Sequence, residues 1–512
     1  MTIRIDNLKL NIGESEDKLI NIAKKKLKMP LKQFAIIKKS LDARDKNNIF
    51  WVYSVTASDE PALPNPIPER LKKPKSVAII GAGPAGLMCA ISLIEHGFLP
   101  IIIERGEAVE ERKNTTERFF RDRILDSNSN VQFGEGGAGT FSDGKLNTQT
   151  HDGLNRSVLE IFHRFGAPEE ILYLNKPHIG SDKLLSVLKN IRAYISDNGG
   201  KYLFNTKFIG FKHKEGSLQS IILQNTKTGE ETELCTDVAV IAIGHSSRDT
   251  FTMLNNSGVE MQSREFAVGV RIEHLASEIG KAQYGQHYNK LPTADYKLVS
   301  HAHERTVFTF CMCPGGVVIP SASEEGGVVT NGMSMYARDG VNSNSALMVQ
   351  MKKEDFGAED LFAGMRFQQK IERLAYEFGG RNYSAPVQLF KDFYLDKVSD
   401  KFVGIEPSYS AGYRFAPLNK VLPAVAVDAL KVAIPDMGKK LKGFDCPDAI
   451  LTGVETRFSS PVRLVRDKNC ECVTISGLYP CGEGSGYSGG ITSSAADGLK
   501  VAENIFEKYK NH

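Results

Sequence analysis

Three glycines, Gly81, Gly83 and Gly86, follow one another in a G-x-G-x-x-G spacing, and Glu104 stands roughly 20 residues beyond the first of them. At this spacing the first glycine permits a tight turn, the second lets a pyrophosphate approach the backbone, and the third lets a helix lie close to a sheet. A carboxylate at the position of Glu104 accepts hydrogen bonds from a ribose. These residues therefore predict a site for a dinucleotide.

Such a site needs a strand, a helix and a second strand to position its glycines and its acid. Residues 77–80 form a short apolar run, the pattern becomes helical from Pro84, and residues 101–103 form a second apolar run that ends at Glu104. The free N–H groups at the start of such a helix favour a phosphate. A bare glycine motif is weak evidence, but the five features in this order indicate a βαβ dinucleotide unit.

A second glycine-rich stretch, residues 134–145, formally repeats the same spacing. The polar residues before it do not predict a strand, and no helix with a second strand and acid follows, so we predict no second dinucleotide fold there. The stretch is instead predicted to be a loop that lies against a flat ring, with Thr140, Ser142 and Lys145 as hydrogen-bond donors. The alternative interpretation is an ordinary surface loop.

Two more predicted strands that end at glycines occur later in the chain. The apolar run 238–243 is typical of a strand buried in a parallel sheet and ends at Gly244. A short apolar run precedes Gly482 and Glu483, and the turn Gly489-Gly490 opens a predicted helix over 491–509. We expect these edges to return to the first ligand site.

Length and composition limit the classes of protein. A chain of 512 residues is too long for one core, and a net charge of +3 favours no particular partner. The sequence contains no run long enough to span a membrane and no signal-peptide pattern, so we expect a cytoplasmic protein without a membrane partner. The eight cysteines are interpreted as reduced thiols. Their two C-x-C pairs lack the spacing and histidines of a zinc site, and no structural metal is predicted.

Five segments are predicted: a small basic α+β module at 1–57, a proline-rich linker at 58–75, the first part of a cofactor domain at 76–263, an α+β substrate domain at 264–450, and the rest of the cofactor domain at 451–512. The module carries twelve Lys and Arg against six Asp and Glu. This excess is typical either of the solvated face of a helix or of a surface that binds RNA or an acidic partner.

Several longer motifs add a resemblance to a known family. They include GAGPAG, GGAGTFSDGKLN, AIGHSSRDT, FAVGVRIEH, GVETRFSSPVR and PCGEGSGYSGGITSSAADGL. Together they resemble FAD-dependent oxidoreductases with a glutathione-reductase-type flavin domain, and more narrowly the uncharacterised bacterial FAD-dependent, or NAD(FAD)-utilising, dehydrogenases. The resemblance implies an α/β fold: a Rossmann-like FAD/NAD(P)-binding domain, an inserted α+β substrate domain and a small N-terminal α+β module. It also implies FAD as the cofactor.

The resemblance assigns roles within the flavin site. The ADP half is expected at the first glycine turn and its acid, the adenine beside Phe208, the ribityl or pyrophosphate beside Glu483, and the pyrimidine edge of the flavin at Gly490 and Ile491. The residues expected to bind the cofactor are Gly81, Gly83, Pro84, Ala85, Gly86, Glu104, Arg105, Gly137, Gly139, Thr140, Ser142, Asp143, Lys145, Phe208, Gly244, Gly482, Glu483, Gly489, Gly490 and Ile491.

Two residues are candidates for catalysis. His245 follows the glycine-ended strand and has a side chain that transfers protons near neutral pH, with a simple cofactor contact as the alternative. Arg457, with Arg463 nearby, suits an anionic group because guanidinium binds carboxylate or phosphate bidentately. An ion pair at the surface or between domains is the alternative for both arginines.

The leading hypothesis is an FAD-dependent oxidoreductase, either a dehydrogenase or a C=C reductase, that acts on a small molecule. The arginines favour an anionic substrate. No second dinucleotide motif is present, so NAD(P)H is expected as a transient electron donor at most. Two alternatives stay open: a flavoprotein that docks on nucleic acid through the basic module, and a flavin redox sensor with little turnover.

Overall fold

The computed structural model describes residues 1–61, 68–148, 153–357 and 359–511. The N-terminal module is an antiparallel sheet in the order β1-β3-β2 with one helix packed on it. Its elements are β1 Thr2–Asn11, α1 Asp17–Leu27, β2 Gln33–Asp42 and β3 Phe50–Ser58. The edge strand β2 attaches the module to the rest of the chain, because the backbone of Lys39 pairs with Tyr173 and Asn175. Of the predicted linker, residues 62–67, with Pro64 and Pro66, lie outside the described residues.

The next part of the chain builds most of the cofactor domain. Its elements are β4 Ser76–Ile80, α2 Pro84–Glu95, β5 Leu99–Ile103, α3 Val109–Asp122, α4 Leu154–Arg164, α5 Ser181–Asp197, β6 Lys201–Leu203, β7 Thr206–Lys214, β8 Ser217–Asn225, β9 Glu231–Cys235, β10 Ala239–Ile241, α6 Arg248–Asn256 and β11 Met261–Ser263. Strand β6 joins the parallel sheet, whereas β7, β8 and β9 form a separate antiparallel sheet.

The second domain is built on a seven-stranded sheet in the order β13-β14-β17-β12-β20-β18-β19. Its elements are β12 Phe266–Leu275, α7 Ala276–Tyr284, β13 Val299–Ser300, β14 Val307–Cys313, β15 Val317–Pro320, β16 Thr330–Met333, β17 Asn342–Met351, α8 Lys353–Phe356, α9 Ala363–Gly379, β18 Ala385–Leu389, α10 Phe390–Tyr394, β19 Tyr413–Phe415, α11 Ala424–Lys440 and β20 Ile450–Glu455. Because β20 pairs with β12 and β18, the predicted domain boundary at 450 is too early.

The chain then returns to the cofactor domain through β21 Val462–Leu464, β22 Leu478–Pro480 and α12 Ile491–Tyr509. The parallel sheet has the order β22-β10-β4-β5-β6, so the last strand lies beside β10 rather than beside its neighbours in sequence.

Both faces of this parallel sheet are covered, which explains why its strands are apolar throughout. Val77 and Ile79 pack against α2, α5 and α12, whereas Ala78 and Ile80 pack against the sheet of β7, β8 and β9. Helix α12 crosses α2 closely because Gly498 has no Cβ, which would overlap the carbonyl oxygen of Ala85. The predicted α/β class, with its inserted α+β domain and small α+β module, is confirmed.

Candidate functional site

A cavity of about 800 Å³ lies where the carboxyl ends of the parallel strands face the second domain. Gly81, Glu104, Gly244 and Gly482 follow β4, β5, β10 and β22, and all four line the cavity. Ligands of open parallel sheets bind at this edge, and ligand pockets commonly have volumes of roughly 300–1,000 Å³. The cavity therefore has the position and size of a ligand site.

Most of the predicted site residues meet in this cavity although they lie far apart in the sequence. Those that line it are Gly81, Gly83, Pro84, Ala85, Glu104, Arg105, Gly137, Gly139, Ser142, Lys145, Phe208, Gly244, His245, Arg457, Gly482, Glu483, Gly489, Gly490 and Ile491. Gly86, Thr140 and Asp143 do not line it.

The glycines of the first turn have distinct steric surroundings. Gly81 has a φ of +108°, and an added Cβ would overlap the carbonyl oxygen of Ala242. An added Cβ at Gly86 would overlap the carbonyl oxygen of Gly81, so this glycine serves helix packing rather than ligand contact. At Gly83 the nearest atom to an added Cβ is the Cα of Gly137, 3.9 Å away. A side chain at position 83 would thus enter the cavity.

Glu104 fixes this edge of the site and is nearly buried. Its carboxylate accepts hydrogen bonds from the backbone N–H groups of Ala82, Gly106 and Gly134, each at 2.9 Å. A carboxylate has about four lone-pair positions, so one remains for a ligand hydroxyl. Glu104 therefore positions the glycine turn and the glycine-rich loop as well as facing the cavity.

The glycine-rich loop is held by Arg112, a residue that the sequence analysis missed. Its side chain is fully buried and donates to five backbone carbonyls of residues 130–137. Burial lowers the pKa of Arg112 to about 10. Thr140 bonds to Arg112 and to the carbonyl of Glu135, so its predicted contact with a cofactor is wrong. The only sign in the sequence is that Arg112 lies on the same face of α3 as the apolar Val109 and Phe119.

Asp143 also has a structural role instead of the predicted contact with the flavin. Its fully buried carboxylate pairs with Arg338 of the second domain and with Lys145, whose Nζ lies 2.9 Å away. Burial alone would raise the pKa of Asp143, but the two cations outweigh this effect and lower it. Lys145, which does line the cavity, also donates to the carbonyl of Met312. The ion pair of Asp143 with Arg338 therefore links the glycine-rich loop to the second domain.

Glu135, in the glycine-rich loop, makes the stability of the protein depend on pH. Burial raises its pKa to about 7, although the N–H of Val109 and the charge of Arg192 act in the opposite direction. The unfolded carboxyl titrates near 4.5, so between these two values the folded state binds more protons and the free energy of unfolding decreases as the pH rises.

We expect Glu135→Gln to remove this dependence, because the amide keeps an acceptor for Val109 but carries no charge. Relative to the wild type, the variant should unfold at a similar temperature near pH 5 and at a higher one near pH 8, with a gain of about 2–3 kcal/mol. Melting curves of both proteins at the two pH values check this. A variant that is less stable than the wild type at the higher pH would contradict the assignment.

The cavity wall also combines aromatic and charged groups. The guanidinium of Arg105 lies over the ring of Phe133, 4.4 Å from its centroid, and pairs with Asp249 at 2.9 Å. Phe208, on β7, lines the same region and is 3% exposed. These flat and charged surfaces suit the adenine and ribose of a dinucleotide.

His245 and Glu483 both line the cavity and lie next to each other. The Nδ1 atom of His245 lies 3.1 Å from Oε1 of Glu483. The other ring nitrogen, Nε2, is buried and has no hydrogen-bond partner among the described residues. Gly244, just before His245, has a φ of +68° and open space where a Cβ would stand.

The two arginines predicted to bind an anion are already occupied. Arg457 donates from Nε and Nη2 to Glu372 at 2.8 and 3.0 Å. Arg248 of α6 also donates two hydrogen bonds to the same carboxylate. Burial alone would raise the pKa of Glu372, but the two arginines outweigh it and hold that pKa far below its usual value. Arg463 donates to the carbonyl of Gly486. The prediction of a free anion-binding Arg457 is therefore corrected to an ion pair with Glu372, the carboxylate that Arg248 of the cofactor domain also contacts.

Comparison with known proteins gives matches along most of the chain. A model described as FAD-dependent protein, C-terminal domain-like, matches residues 265–458, an FAD binding domain model matches residues 75–125, and a domain of unknown function matches residues 2–58. An uncharacterized protein of Clostridium beijerinckii is 45% identical over 99% of each chain. The chain belongs to this family of FAD-dependent proteins. Its cofactor is FAD.

Solved structures also resemble this FAD-dependent protein at low identity. A triple mutant of the flavin-dependent brominase Bmp2 is 12% identical, with 85% of this chain and 81% of that chain covered and a TM-score of 0.39. The glycerol-3-phosphate dehydrogenase from Bacillus halodurans, complexed with FAD, is 11% identical, with 87% and 66% covered and a TM-score of 0.36. At these scores the likenesses carry no argument about this protein.

The residues of the FAD-dependent protein fit its cofactor. An added Cβ at Gly489 or Gly490 meets no atom within 4 Å, as at Gly244, so bare backbone faces the cavity at these positions. Helix α12 begins directly after them, and its first turn contains no acidic side chain. The N-termini of α2 and α12, with their free N–H groups, thus face one cavity. Their positive helix ends favour phosphates there, and also a flavin that gains negative charge.

Within the described ranges, no three or more His, Cys, Asp and Glu side chains are grouped to hold a metal ion. None of the helices in the described part of the chain is long and apolar enough to cross a membrane. All eight cysteines are free thiols, and burial raises the pKa of Cys311 and Cys313.

Proposed function

We propose that this FAD-dependent protein is a dehydrogenase for a small molecule, and that the same site supports C=C reduction in the opposite direction. The observation that carries the proposal is the surroundings of His245, whose Nδ1 lies 3.1 Å from Oε1 of Glu483 while its buried Nε2 has no hydrogen-bond partner among the described residues. A buried polar atom without a partner is costly, so an unpaired histidine nitrogen at a ligand cavity is a candidate for contact with substrate.

The pair determines which nitrogen moves the proton. We infer that neutral His245 carries its proton on Nδ1, which faces the carboxylate of Glu483 at 3.1 Å, so that Nε2 is bare. His245 Nε2 therefore accepts the proton released when the substrate is oxidised, and returns it when the reaction runs as a reduction. Bound FAD supplies the two-electron redox chemistry.

The rest of the cavity orients the reactants and excludes water. The backbone of Gly490 and Ile491, at the start of α12, offers N–H donors toward developing negative charge. The ion pairs Arg248–Glu372 and Asp143–Arg338 join the cofactor domain to the second domain. We propose NAD(P)H as an electron donor that visits this cavity transiently.

Anaerobic mixing tests the proposal. The purified protein is mixed with NADH, then NADPH, and then a panel of alcohols, amines and hydroxylated ring compounds, while the flavin absorbance is followed. Bleaching by any of these donors supports an oxidoreductase. A flavin that dithionite bleaches but none of these donors reduces would contradict it.

Replacing His245 by Asn is expected to lower the rate of flavin reduction by the substrate identified in this way by about 100-fold or more, the usual contribution of a positioned general base. Bound FAD should be retained. The pH profile of the remaining rate should lose the limb that reports the base. The matched control is His213→Asn, because His213 is an exposed histidine on β7. Unchanged kinetics would return His245 to a structural role.

A further inference from the structure

Part of the cavity belongs to the second domain and is aromatic. Phe308 and Phe310 are two residues apart on β14, which places their side chains on the same face of the strand. The ring of Phe458 lies edge-on to both, at centroid distances of 5.3 and 4.5 Å. All three line the cavity and are only partly buried. Such a wall packs well against a flat ring.

Beside this wall, one buried guanidinium fixes two polar side chains. Arg271 is fully buried and donates to both carboxylate oxygens of Glu455, at 2.5 and 3.1 Å, and to Oδ1 of Asn331 at 2.9 Å. The same Oδ1 accepts the N–H of Gly332 at 2.8 Å, so the amide nitrogen of Asn331 remains to donate. Glu455 and Asn331 both line the cavity. Glu455 thus offers an acceptor and the Asn331 amide a donor, and Arg271 fixes the orientation of both.

Thr330 provides an independent observation at the same place. It lines the cavity, is 1% exposed, and its hydroxyl has no hydrogen-bond partner among the described residues. Leaving a buried hydroxyl unpaired is unfavourable unless a ligand or a water satisfies it. The charges of this region are already neutralised, Glu455 by Arg271 and Arg457 by Glu372. These side chains therefore offer hydrogen bonds without an unpaired charge of their own, whereas the exposed Lys297 lines the same cavity outside this group.

We infer that this region, the ring pocket of Phe308, Phe310, Phe458, Thr330, Asn331 and Glu455, binds an uncharged aromatic or conjugated ring that carries a hydroxyl or amino group. The aromatic wall contacts the ring, Glu455 accepts the hydrogen bond of its hydroxyl or amine, and Thr330 and Asn331 contact neighbouring polar atoms. The inference rests on the proposed function and names the substrate class of that site.

Ligand binding to the oxidised, FAD-loaded protein tests the inference without turnover. Phenol, anisole, benzoate and cyclohexanol are titrated separately, and the perturbation of the flavin spectrum is recorded. Phenol is expected to bind roughly fivefold or more tightly than anisole, which lacks the donor, and than cyclohexanol, which lacks the flat ring. Benzoate should bind more weakly than phenol because it has no donor for the carboxylate of Glu455. Tighter binding of benzoate than of phenol would overturn the proposal in favour of an anionic substrate.

Two variants locate the binding in the ring pocket. Thr330→Val is expected to weaken phenol binding roughly fivefold, while FAD content is kept and the melting temperature is unchanged or higher, since the hydroxyl has no protein partner to lose. The control, Thr232→Val, changes an exposed threonine of β9. Phe310→Leu should weaken phenol and anisole alike.

Unchanged phenol binding in both pocket variants would show that the threonine hydroxyl is satisfied by water only and would overturn the assignment. The proposed function fails differently, through a flavin that no donor reduces or a His245 variant with full activity.

Discussion

The variant Gly83→Val is expected to purify as a folded but colourless protein. Position 83 has a φ of −78°, which valine adopts without strain. The valine side chain would meet no close protein atom and would extend into the cavity. Because the isopropyl group would occupy the approach of the pyrophosphate to the backbone, FAD affinity should fall at least roughly 1,000-fold, or about 4 kcal/mol.

The flavin content per chain, measured after denaturation, checks this expectation. Gly153→Val is the matched control, because Gly153 also has a negative φ, −57°, and open space around an added Cβ, but lies outside the cavity. The released cofactor should be FAD rather than FMN. Full flavin content in Gly83→Val would contradict the position assigned to the phosphates.

The variant Arg112→Met should lose both stability and FAD. Methionine fills much of the same space but leaves five backbone carbonyls of residues 130–137 without their donor. Each buried acceptor left unpaired costs about 1–3 kcal/mol, so even two of them amount to a large share of the 5–15 kcal/mol that typically separates folded from unfolded protein.

Melting temperature and flavin content together report this effect. The control is Arg121→Met on the same helix, since Arg121 is exposed and pairs with the adjacent Asp122. We expect the control to behave as the wild type does. Equal stability of the two variants would show that the loop does not depend on Arg112.

Local patterns predicted the parts of the fold that local forces decide. The first strand and its glycine turn, and the helix over 491–509, were identified because an apolar run, a glycine and a helical repeat follow one another along the chain. The boundary near 450 was misplaced for the opposite reason. The apolar strand β20 suits either sheet, and only its pairing with β12 shows to which it belongs.

The site was less predictable wherever a partner lies far away in sequence. Arg457 resembles an anion-binding residue until Glu372, on α9, is brought against it. Arg112 has backbone carbonyls as partners, and carbonyls leave no mark in a sequence. The residues of the ring pocket come from three separate strands and a loop, so no motif collects them.

The strand order of the parallel sheet has a consequence for how the protein is made. Because β22 pairs with β10, and because Gly83 and Gly490 face one cavity, the site is completed by a segment that the ribosome produces long after the first glycine turn. The whole inserted domain is therefore synthesised before β22, and during this time one edge of β10 remains unpaired. Exposed strand edges attract other chains, so this interval is the one in which a chaperone contact or an early supply of flavin would most affect the yield of active protein.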